Sequence, residues 1–189
     1  MRFNSNELRL ALKSVKPALS KDDAKTILTG ISFKLKDGIC EIAACDGCRI
    51  HVQRLAYIKE SETEDTSEFV IPFFDVPSGC NIVDITISKT EEMCSVVFDN
   101  GSSLILRTFR EPYISYEKSV PKTEPVFSLV FNPKNLKDAL INLKGPVNMD
   151  FYGDKSPCII RTVLEGKDKA ALDESYNLVL PCYIKTLRR

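Results

Sequence analysis

The feature that most constrains this 189-residue chain is that it writes one short pattern twice. FNSNELRLAL, from Phe3, and FNPKNLKDAL, from Phe131, align without a gap as F-N-x-x-x-L-x-x-A-L. Asn4 matches Asn132, Leu8 matches Leu136 and Leu12 matches Leu140, at a constant offset of 128. Each copy spells a strand running into a helix. Asn at the junction can accept bonds from the helix's first unpaired amides, and Glu7 three residues later fits a capping box. Leu8, Ala11, Leu12 and Val15 then recur at helical spacing until Pro17. In the second copy Pro133 takes the first helical position, Leu136, Ala139, Leu140 and Leu143 form the stripe, and KGP closes it.

Strand signals follow each helix. After the first come ILTGISFKL, KDG, ICEIAAC, DG and CRIHVQRLAYI; after the second, VNMDFYG, SPCIIRTVL and YNLVLPCYI, with FSLVF as the strand that opens the copy. Both copies therefore read β-α-β-β-β. Between them, FVIP opens a further strand, and later strands alternate around DNG, a hairpin turn. PFFDVPSG stands where a third helix would fall, and Pro77 and Gly79 leave room for no more than a turn. The expected fold is α+β, built of repeated β-α-β-β-β units with helices on one face of antiparallel sheets.

Bulk properties narrow the class. The 26 basic and 26 acidic residues cancel, so total charge names no partner. No apolar run approaches a membrane span, and MRFNSNELRL has no apolar signal core. Seven cysteines, an odd and scattered set, suit a reducing compartment. A cytoplasmic protein is expected. Local charge says more. Residues 1–37 hold eight basic groups against four acidic ones, whereas Lys59–Glu68 holds five acids against one lysine and reads as a solvated loop.

The basic groups fall in register on the repeated helix. At about 100° per residue, Arg9, Lys13 and Lys16 share one flank of the apolar stripe. Lys137 and Lys144 take the same flank in the second copy, with Lys134 a little beyond. Long basic side chains there can lay their stems on the core and point their heads at phosphates. No aromatics interleave with them, so base stacking on a single strand has no support. Duplex DNA held by its backbone, without sequence preference, is the expectation.

Other motifs carry less. Cys45 and Cys48 form a C-x-x-C, but no second close pair completes four zinc ligands, and the pair sits in a turn between strands where a redox pair would open a helix. His51, the single histidine, lies in a strand with no nucleophile beside it. Phosphate-loop, dinucleotide and zinc-peptidase signatures are missing. Tyr113 and Tyr116 beside Pro112 read as core or interface aromatics. No enzyme, no cofactor and no metal are expected.

At this point the sequence resembles the bacterial sliding clamp family, the DNA polymerase III beta subunit. ILTGISFKLKDGICEIAACDGCRI resembles the clamp's middle-domain stretch, with Ala44, Asp46, Gly47 and Arg49 matching and Cys45 and Ile50 replacing Thr and Leu. FVIP, the linker LILRTFREPYISYEKSVP with Pro112, Tyr113, Tyr116, Val120 and Pro121, and the closing YNLVLPCYI follow in the family's order. The resemblance implies a DNA-clamp-like fold. Residues 1–121 would form a domain resembling the clamp's middle one, with its second helix reduced. Residues 122–189 would form a half-domain resembling the C-terminal half of the last.

The resemblance further implies a processivity factor in DNA replication, tethering a DNA polymerase or related client on double-stranded DNA. Arg9, Lys13, Lys16, Lys134, Lys137 and Lys144 would face DNA. Gly47, Arg49, Ile50, Pro72, Val179, Leu180 and Pro181 would line a pocket for a client peptide. A homo-oligomer is expected, because one chain holds too few units to surround a duplex. The chain departs from the family after Pro181, where Cys182 and Tyr183 replace Met and Arg. The alternative is a clamp-fold interaction module that binds replication proteins and does not encircle DNA.

Overall fold

The computed structural model describes residues 1–59, 66–88, 90–141, 143–163 and 176–182. Most of the acidic run, Tyr183 and the basic tail lie outside the described residues. The chain divides into two compact units, Met1–Val120 and Pro121–Arg189.

Unit 1 opens with β1 (Arg2–Asn4) and α1 (Ser5–Val15). Asn4 is the N-cap: its Oδ1 accepts from the amides of Asn6 at 3.0 Å and Glu7 at 3.2 Å. Pro17 ends the α-helix, and Lys16–Ala18 tightens into a 3₁₀ turn. Leu8, Ala11, Leu12 and Val15 are buried, as their spacing requires. Then come β2 (Gly30–Lys36), β3 (Ile39–Cys45), β4 (Ile50–Ala56), β5 (Thr66–Pro72), β6 (Ile82–Ser88), β7 (Met93–Phe98) and β8 (Ser103–Arg107). One correction falls here. Ile27–Thr29, expected as the start of a strand, belong to the second of two 3₁₀ turns that span Asp23–Thr29 across a kink at Lys25; Thr29 Oγ1 donates to the Thr26 carbonyl at 2.7 Å, and the Gly30 amide donates to the Ile27 carbonyl.

These strands form two four-stranded antiparallel sheets, ordered β4-β3-β2-β5 and β1-β6-β7-β8. The order carries the internal duplication. One half of unit 1 is β1, α1, β2, β3 and β4; the other is β5, β6, β7 and β8. Each half sends its first strand into the other's sheet: β1 pairs with β6, placing Phe3 opposite Val83, and β5 pairs with β2, placing Phe69 opposite Phe33. One core joins both halves through Phe3, Leu8, Leu12, Phe33, Ile71, Val83, Ile85 and Phe98. The two halves differ where the second would carry a helix. There Phe73–Cys80 run as an irregular loop, turning at Gly79 with φ +81°.

After β8 the chain lies back over unit 1. The Phe109 amide donates to the Val70 carbonyl at 2.9 Å. Tyr113 and Tyr116 bury against Leu28, Ala43, Cys45 and Val70. Tyr116 Oη donates to Glu41 Oε1 at 2.5 Å, and Lys34 pairs with Glu117. These tyrosines are core residues of unit 1.

Unit 2 holds α2 (Pro133–Leu140), β9 (Val147–Asp150), β10 (Cys158–Thr162) and β11 (Asn177–Val179), with the sheet ordered β11-β10-β9. Asn132 caps α2 by accepting from the Lys134 amide at 2.9 Å, and Pro133 occupies the first turn. Cys158, Ile160 and Val179 are the buried centre, ringed by half-buried Phe131, Leu136, Ala139, Leu140 and Leu143. The strand expected at FSLVF does not form. Phe127–Phe131 has no ladder partner among the described residues; the Cys182 amide donates to the Val130 carbonyl at 2.6 Å, and the Phe127 and Phe131 rings lie against Phe151 with centroids 5.9 and 6.4 Å away.

Candidate nucleic-acid interface

The three basic residues on the flank of α1 have unequal surroundings. Arg9 is half-buried, and its guanidinium is taken up within unit 1. Its Nε donates to the Val76 carbonyl at 3.2 Å, Nη2 to the Pro77 carbonyl at 2.7 Å, and Nη1 to Asn6 Oδ1 at 2.6 Å. Lys16 sits 3.8 Å from an Asp75 carboxylate oxygen, with its ammonium 4.2 Å above the centre of the Phe73 ring. Both reach the loop that stands where the second helix is missing. Lys13 is exposed, with no side-chain partner among the described residues. Sequence reasoning placed all three on one flank correctly by angle, but it had no means of seeing that Phe73–Cys80 fold back toward two of them.

Along α2 and just past its end, Lys134, Lys137 and Lys144 are exposed, without a side-chain partner among the described residues. Ile141, at the position matching Lys13, is 64% exposed, so the second copy carries an apolar group where the first carries an ammonium. A free lysine head is the geometry a phosphate contact needs, since no internal carboxylate competes for it.

Of the unit 1 residues expected to meet a client peptide, Gly47, Arg49 and Ile50 lie in or beside the β3–β4 turn, and Pro72 lies at the end of β5, opposite Gly30. Asp46 builds that turn: its Oδ1 accepts from the amides of Cys48 at 2.9 Å and Arg49 at 3.0 Å, and its Oδ2 from Arg49 Nε at 2.8 Å. The amide bond from Cys48 and those from Arg49 hold the Asp46 carboxyl below the usual carboxylate range. Gly47 has φ +93°, a conformation that favours glycine, and its amide contacts Cys45 Sγ at 3.2 Å. Arg49 and Ile50 are exposed, and Pro72 is half-buried at the end of β5. In unit 2, Val179 is buried under β10, Leu180 is 65% exposed and Pro181 is half-buried.

The cysteines and the histidine have structural surroundings. All seven cysteines are free thiols. Burial pushes the thiols of Cys40 and Cys94 up to about 12, so neither is a ready nucleophile. Cys45 is buried and Cys48 exposed, and Asp46 fixes the turn between them. His51 Nδ1 lies 2.8 Å from the Ser14 carbonyl, tying β4 to α1. Among the described residues no group of three or more His, Cys, Asp or Glu side chains is placed to hold a metal ion, and no helix is long and apolar enough to cross a membrane.

Comparison with known proteins gives first the class. The chain is similar to the DNA polymerase sliding clamp from Pseudomonas aeruginosa, with a TM-score of 0.76 at 14% identity over 96% of this chain and 50% of that one. It is similar to the beta chain of DNA polymerase III from Streptococcus pneumoniae TIGR4, with a TM-score of 0.75 at 16% identity over 96% and 48%. The beta subunit from DNA polymerase of Streptococcus pyogenes gives 0.74 at 15% over 97% and 50%. The fold is that of the sliding clamps, and the chain spans about half the length of these solved structures. No curated protein matches it. The family model of the DNA polymerase III beta subunit, central domain, matches residues 2–105, more than half of the chain. The chain belongs to the DNA polymerase III beta subunit family.

Proposed function

We propose that this protein is a sliding-clamp-like processivity factor of DNA replication, which holds duplex DNA by its backbone and tethers a DNA polymerase or a related client. It acts without catalysis, in the cytoplasm, as a homo-oligomer. The observation that carries the reading is the family's fold together with exposed lysines, unpaired among the described residues, on each copy of the repeated helix: Lys13 on α1, and Lys134 and Lys137 on α2. Lys13 on α1, Lys134 and Lys137 on α2, and Lys144 just past it contact phosphates. Arg9 and Lys16 act indirectly, by fastening the loop beside α1. Client contacts are proposed on each unit separately: Gly47, Arg49, Ile50 and Pro72 on unit 1, and Val179, Leu180 and Pro181 on unit 2.

Salt titration of duplex affinity tests this. Log K should fall with log salt, and replacing Lys13, Lys134, Lys137 and Lys144 by Ala should flatten the slope by about 0.9 for each phosphate no longer neutralised. An unchanged slope removes the DNA-facing role. One observation favours a second reading: internal partners occupy two of the three basic groups on the α1 flank. An interaction module that binds clamp clients without DNA would bind client peptides undiminished while showing no salt-dependent duplex affinity.

A further inference from the structure

Unit 1 shows what a complete pair of halves looks like, and unit 2 repeats one half of it. β9, β10 and β11 follow α2 as β2, β3 and β4 follow α1, and both trios pair in the same order. In unit 1 a fourth strand, β5, lies along the outer side of β2, and it comes from the other half. The matching side of β9 has no strand among the described residues.

The opening segment tells the same story from the opposite direction. Arg2 exchanges two backbone bonds with Ile58, just past β4 of its own half, its amide donating at 3.0 Å and its carbonyl accepting at 2.9 Å. Its neighbours face the other way: Met1 exchanges bonds with Ile85, and Ser5 donates to the Asn81 carbonyl at 2.9 Å, both in the other half. Val130 matches Arg2 by the repeat, and it too accepts a bond from just past the last strand of its own half, from Cys182. The outward set, which Leu129 and Phe131 would supply, is unanswered among the described residues.

The apolar stripe agrees. Leu8, Ala11, Leu12 and Val15 of α1 are at most 6% exposed, whereas no residue of α2 is buried. Phe127 is 62% exposed and Val126 99% exposed. The matched stripes differ in burial: the first lies under a second half, and no second half is found over the other among the described residues.

We infer that unit 2 is half of a domain that a second copy of this chain completes, each copy laying its Phe127–Phe131 segment antiparallel along β9 of the other. The exchange is self-complementary: one segment and one edge, both unpaired among the described residues, satisfy each other about a two-fold axis. It closes both edges at once, so it stops at two chains and does not propagate. The inference rests on the fold alone and not on the DNA-binding reading.

Light scattering tests it directly. The expected mass is twice that of the 21.2 kDa chain. Leu129→Pro deletes an amide aimed at the partner and leaves the Val130 carbonyl to Cys182, so it should give the single-chain mass with unit 1 still folded by circular dichroism. Hydrogen exchange on the wild type gives an answer that does not depend on the variant folding. The amides of Leu129, Phe131 and β9 should be protected and should lose protection together on dilution. A single-chain mass at every concentration, or a double mass with those amides exchanging freely, overturns the inference. Neither readout involves DNA, so a failure to bind duplex leaves both intact.

Discussion

Arg9 Nη2 lies 2.7 Å from the carbonyl oxygen of Pro77, with Nε 3.2 Å from that of Val76. One guanidinium thus caps two successive carbonyls of the loop that stands in place of a helix. Without a helix those carbonyls have no i+4 amide to accept from, and a planar fork supplies donors in their place. Lys16 over Phe73 adds a second tie to the same loop.

Arg9→Ala should therefore cost about 1–3 kcal/mol, by removing the guanidinium donors from the Val76 and Pro77 carbonyls and leaving Pro77 only the weak Cys80 thiol, 3.1 Å away. Arg9→Lys should recover less than half of that, because one ammonium cannot reproduce the fork. Urea unfolding gives the energies, and limited proteolysis should cut first within Phe73–Cys80. The salt slope of duplex binding should stay at the wild-type value in Arg9→Ala and drop by about 0.9 in Lys13→Ala.

Gly30 is a question of space. A Cβ there would come within 2.7 Å of Phe109 Cε2 and 2.8 Å of Val70 Cγ1. Gly30→Ala should destabilise unit 1 by about 1–3 kcal/mol through overpacking. Phe109→Leu in the same chain should recover part of the loss, giving a measurable coupling in a double-mutant cycle.

The Glu41 carboxyl should govern part of the acid sensitivity of unit 1. Burial pushes it up, but the bonds from Tyr116 and from Arg54, whose Nε lies 2.6 Å away, together with Arg54 and Lys34 charge, outweigh burial and hold it below its usual range. A carboxyl depressed in the folded state contributes stability above its unfolded pKa, and that contribution is lost as pH falls through the folded one. Tyr116→Phe should move the titration upward, so that acid unfolding begins at higher pH. Urea midpoints between about pH 3 and 7 check the sign, with Tyr116→Phe the less stable near pH 7 and the two curves converging as pH falls.

The repeat, the caps at Asn4 and Asn132, the breaks at Pro17 and the DNG hairpin were all legible, because each rests on residues within a few positions of one another. Ile39–Cys45 was legible to the residue, since its apolar run ends at turn signals on both sides. FSLVF was misread because a strand needs a neighbour, and propensity cannot say whether one exists. Ile27–Thr29 was misread because a local turn, in which the Thr29 hydroxyl donates to the Thr26 carbonyl, delays the strand to Gly30, and an apolar run does not record such a bond. The basic flank was legible as an angle around a helix. The difference between Lys13 and its neighbours Arg9 and Lys16 was not, because it depends on Asp75, Val76 and Pro77, about sixty residues away.

The crossed pairing of first strands also sets a schedule for synthesis. Residues 2–4 find the strand they pair with at Ile82–Asp84, while Arg2 alone also bridges to Ile58. At roughly 5–20 residues per second, the start of the chain waits on the order of ten seconds for the segment that will hold it. Until then α1 has an apolar stripe and no finished floor, and pairings so distant in sequence are the slow ones. A nascent chain paused near residue 70 would expose Phe3, Leu8 and Leu12 together, which makes that window the natural point of engagement for a chaperone at the ribosome.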